Sequence, residues 1–467
     1  MLEPVIGLEV HLALRTRTKL FCGCPTSFGG EPNVNTCPIC LGLPGTLPLL
    51  NEQALELALA FAAALGCEIP PVTHWHRKHY FYPDAPKNYQ LSQDDVPVGL
   101  GGHIDVPGGR RIRITRCHLE EDAGRLVHPA YADHSLVDLN RAGSPLIEMV
   151  TEPDIRSAEE ARDFLAEVRG IAQALGVSDA APEEGKMRAD VNISLHVPGQ
   201  PYGTKVEVKN LNSFRSVAAA IEFETKRQTQ LLEAGKVVNQ ETRGWNEGGQ
   251  KTYLMRTKEA AADYRYLRDP DIPAVVISDE RRAAVLASLA EKPAAKAARY
   301  VAAGVRPADA RSIAYDVDAA AFFDAVTPSY QGDAQAVANW MSEVAGRLHA
   351  VELSLPQSAL TPSNLVRLMT LVDDGTVSAT AAKELLADVV NGEDPGALVA
   401  SRGLAQVSDE GELGSLVDGV LTANPDLVER VRANPNAINA LLGKVMQATK
   451  GAAKPDLARR LLEERLK

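Results

Sequence analysis

Several catalytic signatures are missing from this chain of 467 residues. It has no G-x-x-x-x-G-K-[ST] loop and no G-x-G-x-x-G opening a helix. If it uses ATP, it does so without a P-loop. It has no G-x-S-x-G elbow and no S-x-x-K, so the usual serine-nucleophile signatures are absent. No apolar run reaches the ~18 residues that a membrane span needs; the stretch 54–65 is short and broken by Glu56. The start, MLEPVIGLEVHL, lacks the basic opening and apolar run of a secretory signal. We therefore expect a cytoplasmic protein with no membrane partner. Internal repeats and low-complexity tracts are absent as well.

Excess positive charge is also lacking, with a formal net charge of −12. The deficit is uneven. Over residues 430–467 nine bases face three acids, a balance of +6. A basic tail on an acidic body suits a phosphate backbone, and equally a solvated helical surface.

Six cysteines are present, and four of them crowd into FCGCPTSFGGEPNVNTCPIC. Cys22-x-Cys24 and Cys37-x-x-Cys40 are separated by a loop rich in Gly, Pro and Asn. Thiols stay reduced in a cytoplasm, so a structural disulfide pair is disfavoured. Four thiolates hold Zn²⁺ tetrahedrally, and the loop between them needs little else to fold. We expect a closed, structural zinc site. Four ordinary thiols are the alternative; a redox couple would need a βαβ setting that is missing here. Cys67 and Cys117 stand alone and read as core.

The pattern of apolar residues predicts an α+β chain. In VIGLEVHLAL, residues 5–14, Ile6, Leu8, Val10, Leu12 and Leu14 share one face of a strand, and Glu9 and His11 share the other. Similar strands are expected at 111–120, 135–139, 146–150, 188–197 and 204–209. Helices should follow Asn51, open on the Ser157-x-x-Glu160 capping box, and span 213–234. Beyond about residue 290, alanine-rich helical patterns take over. We expect domains at 1–290, 291–405 and 406–467, with a polar junction near 403–412.

Three polar constellations could carry chemistry. Glu9, His11, Glu120, Glu121 and Glu148 lie on strand patterns. A glutamate among Leu146, Ile147 and Met149 is costly to bury unless paired or metal-bound. Carboxylates with one imidazole suit Mg²⁺ or Mn²⁺ near a phosphate; scattered surface acids and a core histidine are the plainer reading. HWHRKHYFYPDAPKNYQLSQ mixes bases with aromatics, as a nucleotide-stacking surface does, or as two short strands with a turn at 82–84 would. Asp190, Asn192 and Ser194, with Lys205, Glu207 and Lys209, would form a polar sheet wall suited to a polar ligand.

Taken together, VIGLEVHLAL, RKHYFYPDAPKNYQLSQ, HLEEDAG, LVDLNRAGSPLIEMVTEPDIRS, ADVNISL, VEVKNLNSF, DYRYLRDPDIP and KVMQATKGAAKPDLARRLL resemble the B subunits of aspartyl/glutamyl-tRNA amidotransferases, the GatB family. The resemblance spans the chain. It implies a cradle around an antiparallel sheet, similar to glutamine synthetase and guanido kinases, then a helical domain and a YqeY-like tail that grips tRNA. It implies a heterotrimer with an amidase A subunit (GatA) and a C subunit (GatC). ATP would phosphorylate the side-chain carboxylate of Glu-tRNA(Gln) or Asp-tRNA(Asn), and ammonia from the A subunit would displace the phosphate. By the same resemblance His11, Glu121 and Glu148, with Glu9 nearby, would bind Mg²⁺. Asp190, Asn192, Lys205 and Lys209 would face the nucleotide. Lys87, assigned to the chemistry, and Tyr80, Tyr82 and Tyr89 would sit near the reacting end of the tRNA or a channel mouth. Lys444, Lys450 and Lys454 would meet its backbone. Many family members lack the four cysteines, which makes zinc an accessory staple. The archaeal-type E subunit shares the cradle but carries an inserted domain for which this chain has no room. A tRNA-holding scaffold with a dead kinase site is the remaining alternative.

Overall fold

The computed structural model describes residues 2–129, 131–257, 264–405, 410–434, 437–449 and 453–466. It divides into two compact units, Met1–Pro293 and Ala294–Lys467.

The first unit is built on one large sheet. Its strands are β1 (Glu3–Ala13), β4 (Arg111–Glu121), β5 (Pro145–Thr151), β6 (Met187–His196), β7 (Val206–Lys209), β8 (Glu241–Asn246) and β9 (Lys251–Thr257). Between the first two of these in the chain lie two strands of a smaller sheet, β2 (His76–His79) and β3 (Tyr89–Ser92). The large sheet runs β9-β8-β7-β6-β1-β5-β4 and continues to the short strand Gly99–Leu100. Its pairings are antiparallel except β7 with β8, which is parallel. β2 and β3 form a hairpin with a turn in which Ala85 N donates to Tyr82 O at 3.0 Å.

Helices α1 (Glu52–Ala64), α2 (Ala158–Ala174) and α3 (Phe214–Glu233) share one core with the sheet. Each starts where its cap demands. The side chains of Asn51, Ser157 and Ser213 accept hydrogen bonds from backbone N–H groups of the first turn. Glu160 completes only part of the expected box, since its carboxylate takes the N–H of Arg156 and the Arg110 guanidinium.

Ile6, Leu8, Val10 and Leu12 of β1 are fully buried against Leu55, Leu59 and Phe61 of α1, Phe164 and Leu165 of α2, and Val217 and Ile221 of α3 within that core. Each such side chain contributes about 1.5–3 kcal/mol by leaving water. This fixes the sheet's orientation. The apolar face of β1 is committed to the helices, so Glu9 and His11 must project from the other face.

In the second unit the described helices form two apolar clusters. One runs from Tyr300 to Val399 and the other from Leu413 to Leu462. Among the described residues of the whole chain, no helix is long and apolar enough to cross a membrane.

Candidate active site

Register decides which polar side chains meet on the open face. His11 of β1 opposes Glu148 of β5, and Glu148 opposes His118 of β4. On the other side of β1, Glu9 opposes Asp190 of β6, and Asn192 of β6 opposes Glu207 of β7. Directly opposed residues project to the same side of a sheet. Five strands thus lay a row of charged groups across one surface.

The row lines a cleft of about 590 Å³. Six carboxylates border it: Glu9, Glu120, Asp122, Glu148, Asp190 and Glu207. Lys78, Arg116, Arg188, Lys209 and Arg256 stand among them. Charges this buried persist only when paired. His11 Nε2 lies 3.2 Å from Glu148 Oε2, and His118 Nε2 lies 3.5 Å from the same oxygen and 3.6 Å from Glu120 Oε2. Asn192 Nδ2 donates to Glu9 Oε1 at 2.8 Å. Lys209 Nζ donates to Asp190 and also lies 3.1 Å from Glu207 Oε1. Arg188 donates to Asp122 at 3.0 Å.

These pairings set protonation. Burial disfavours the His118 imidazolium, but the carboxylates of Glu148 and Glu120 outweigh it and push the group up to about 9. Burial likewise opposes charge on His11, and Glu148 beside it raises that imidazole. Glu148 is itself held well below the usual carboxylate range, because His118 and His11 outweigh its burial. Glu120 is lowered too; its burial and the nearby Glu148 oppose ionisation, and His118 and Lys78 win.

Two donor sets on this face are compact enough for a cation. The ligand atoms of His11, Glu120 and Glu148 lie within 4.8 Å of one another, and so do those of Glu9, Asp190 and Glu207. Mixed imidazole and carboxylate donors fit Mg²⁺ or Mn²⁺. His118 Nδ1 and Asn192 Oδ1 are buried here without a hydrogen-bond partner.

The cleft gathers some of the residues expected from the sequence and leaves others aside. His11, Glu148, Glu9, Asp190, Lys209 and Tyr80 line the cleft, and Asn192 is joined to it through Glu9. Glu121 does not join them. It follows Glu120 on β4, so its side chain leaves the opposite side of the strand. There it takes Lys87 Nζ at 2.6 Å and Leu91 N at 3.0 Å. Glu120 stands in the cluster instead. Lys87 and Tyr89 also lie on that far side, in a cavity shared with Cys22, Cys40, Arg77 and Glu121. Lys205 precedes β7, is exposed and does not border the cleft. Tyr82 is exposed in the hairpin turn. Lys78, one of the bases noted in the 74–93 stretch, also borders the cleft. His118 and Arg116 were missed. The alternation Arg116, His118, Glu120, Asp122 along one strand face was the signal that could have found them.

The four cysteines converge as expected, with their sulfurs within 4.8 Å of one another. Cys37 N donates to Cys40 Sγ at 3.2 Å, and the ammonium of the fully buried Lys19 lies 3.6 Å from it. A hydrogen bond from Cys22 holds the Cys40 thiol down at about 4, and raises Cys22 in turn. Thiolate character, N–H to sulfur bonds and a buried counter-cation fit zinc. Cys67 and Cys117 are buried elsewhere in the core, their sulfurs 4.0 Å apart.

In the second unit Lys444 is exposed on helix Ile438–Ala448, and Lys454 is half-buried just before helix Pro455–Leu466. Lys450 lies outside the described residues.

Comparison with known proteins identifies the family. Residues 4–283 match the family model for the GatB/GatE catalytic domain, and residues 321–466 match that for the GatB domain. The chain is 55% identical to the B subunit of the aspartyl/glutamyl-tRNA(Asn/Gln) amidotransferase of Deinococcus radiodurans, over 99% of both chains. It is 53% identical to the corresponding protein of Thermus thermophilus, over 100% of this chain and 99% of the relative. The B subunit of a chloroplastic/mitochondrial glutamyl-tRNA(Gln) amidotransferase from Physcomitrium patens is 44% identical, over 99% of this chain and 85% of its own.

Proposed function

Because this chain belongs to the GatB family of amidotransferase B subunits, we propose that its open sheet face is where the side-chain carboxylate of a misacylated tRNA is activated and amidated. The family is one of carbon–nitrogen ligases that take their nitrogen from glutamine. On this reading ATP phosphorylates the carboxylate of Glu-tRNA(Gln) or Asp-tRNA(Asn), and ammonia from an amidase A subunit displaces the phosphate. A C subunit completes the heterotrimer. The work would be done in the cytoplasm.

The observation that carries the reading is the buried row His11, Glu148, His118 and Glu120, with Glu9, Asp190 and Glu207 beside it. Transfer between two anions requires neutralised charge and fixed alignment. A divalent cation held by His11, Glu120 and Glu148, and a second by Glu9, Asp190 and Glu207, would neutralise and orient the triphosphate when bound. The protein's own part is preorganisation. His118 spans Glu148 and Glu120 and fixes both carboxylates. Asn192 holds Glu9, and Lys209 holds Asp190 and Glu207. Lys78, Arg116 and Arg256 are left facing the cleft, where anionic oxygens would meet them. Lys205 and Tyr82 drop out of this assignment.

The finer architecture follows the same reading. The sheet with its three helices is taken as the glutamine synthetase-like cradle, and the last helices as a YqeY-like tRNA-binding tail bearing Lys444 and Lys454. The cysteine cluster would hold a structural zinc, away from the reacting atoms.

The test is reconstitution with A and C subunits, ATP, Mg²⁺ and glutamine. Each misacylated tRNA is offered separately, and the amino acid it carries afterwards is identified. We expect amide on at least one. Absence of amide on both, with glutamine still hydrolysed, would leave the scaffold reading in its place.

A further inference from the structure

We propose that His74, His76 and Asp95 form a further metal site, specific for a borderline transition ion of the Zn²⁺ class and separate from both the carboxylate cleft and the four cysteines. Their ligand atoms lie within 4.8 Å of one another. His74 Nε2 is 2.9 Å from Asp95 Oδ1, and His76 Nε2 is 3.6 Å from the same oxygen. Ligands around a tetrahedral zinc, at bonds of about 2.0–2.1 Å, stand roughly 3.3 Å apart. The two observed separations bracket that spacing. Two imidazole nitrogens converge on a single carboxylate oxygen, as three ligands of one cation would.

Local sequence explains the convergence. Trp75 lies between the two histidines and is fully buried, edge-on to Phe21 in the core. Alternation then sends His74 and His76 to the other side together. Their rings are 5.1 Å apart. The loop that carries Asp95 is anchored on both flanks. On one side Gln93 donates to Thr73 Oγ1 at 2.5 Å and accepts from Leu119 N. On the other, Thr73 Oγ1 donates to Val96 O at 2.7 Å. The carboxylate is therefore held against the histidines by groups that do not depend on it.

The histidine side chains are 11% and 10% exposed, and Asp95 is 59% exposed. Three protein ligands would sit on one side, with water completing the shell from solvent. His76 Nδ1 is buried with no hydrogen-bond partner, and the ring is held by packing edge-on to Tyr266. Two imidazoles to one carboxylate select Zn²⁺, Co²⁺ or Ni²⁺ over Mg²⁺ or Ca²⁺, which favour oxygen. A bound ion would clamp the Asp95 loop to β2, the strand from which Lys78 reaches the cleft.

Cobalt spectra separate this site from the cysteines, and substitutions separate it from the cleft. The full chain is titrated with Co²⁺ alone, and bound metal is counted after dialysis. Thiolate-bound cobalt shows intense near-ultraviolet charge transfer; cobalt on imidazole and carboxylate shows only weak visible bands. We expect Asp95→Asn, an isosteric change at an exposed residue, to remove one bound ion per chain together with weak visible bands. Charge transfer should be unchanged. His74→Gln should do the same, and Asp95→Asn should remove the same ion and its bands from a Glu148→Gln chain, in which the cleft is weakened. Equal ion counts and spectra in the parent and Asp95→Asn would overturn the proposal, as would uptake at this site seen only at millimolar Co²⁺.

Discussion

His118 and Glu148 occupy directly opposed positions on β4 and β5, and the imidazole Nε2 stands 3.5 Å from a carboxylate oxygen that His11 approaches from the other side at 3.2 Å. One carboxylate is thus gripped between two imidazoles. Glu148→Gln keeps the shape and removes the charge. Amidation should fall by at least about 100-fold, in the range expected when a group that acts directly in the reaction is lost. Glutamine hydrolysis by the A subunit should persist. Retained amidation would remove Glu148 from the mechanism.

Adjacent glutamates should behave differently. Glu120→Gln takes a donor from the cleft, so the Mg²⁺ concentration for half-maximal amidation should rise by about 10–100-fold. Glu121→Gln loses the bond to Lys87 on the other side of the strand and should leave that Mg²⁺ requirement within about twofold, since it supplies no ligand. The comparison is made by Mg²⁺ titration at saturating ATP. A larger shift in the Glu121 variant would reverse the assignment.

The cysteine cluster should matter for stability more than for turnover. Replacing Cys37 and Cys40 together by Ser should lower the melting temperature by roughly 5 °C or more, because the loop loses the bonds that fold it. Lys19→Met should speed zinc loss to a chelator, since the buried ammonium beside Cys40 balances thiolate charge. Calorimetry and a colorimetric zinc assay measure the two effects.

Glu224 is fully buried on α3, where it accepts from Arg227 at 2.8 Å and Thr252 at 2.6 Å and lies 3.3 Å from Arg243. Burial opposes its ionisation, but the Arg227 and Thr252 donors hold the carboxyl below its ordinary value. A depressed carboxyl stabilises above its unfolded pKa, about 4.3, and that contribution fades as pH falls toward the folded value. Glu224→Ala should cost about 3–5 kcal/mol at pH 7 by stranding Arg227 and leaving Arg243 with Glu241 as its carboxylate. The difference from the parent should narrow below pH 4. Denaturant unfolding at both pH values tests the sign.

On the second unit, Lys444→Glu should weaken tRNA binding uniformly and flatten its salt dependence by about one unit of slope or more, as loss of a phosphate contact does. Filter binding across a salt series would show it; an unchanged slope would remove Lys444 from the tRNA surface.

Much of this protein could be read from its residues alone. The alternation in 5–14 put Glu9 and His11 on one face, because burying Ile6, Leu8, Val10 and Leu12 leaves no other choice. Asn51, Ser157 and Ser213 marked helix starts because their side chains satisfy free N–H groups. The cysteine spacing announced a cluster, since a short loop with four thiols has few other ways to close.

What only the tertiary structure decided was parity and pairing. Glu120 and Glu121 are chemically alike and adjacent, and strand geometry sends them to opposite faces. Which one meets Glu148 follows from the register of β4 on β5, in which Glu120 opposes Leu146. Lys205 lies outside the cleft for a related reason, because β7 begins one residue after it. His74, His76 and Asp95 meet only because the loop after β3 folds back and is pinned through Thr73. Local periodicity ends at each strand, and contacts between strands depend on hydrogen-bonded register that no single segment contains.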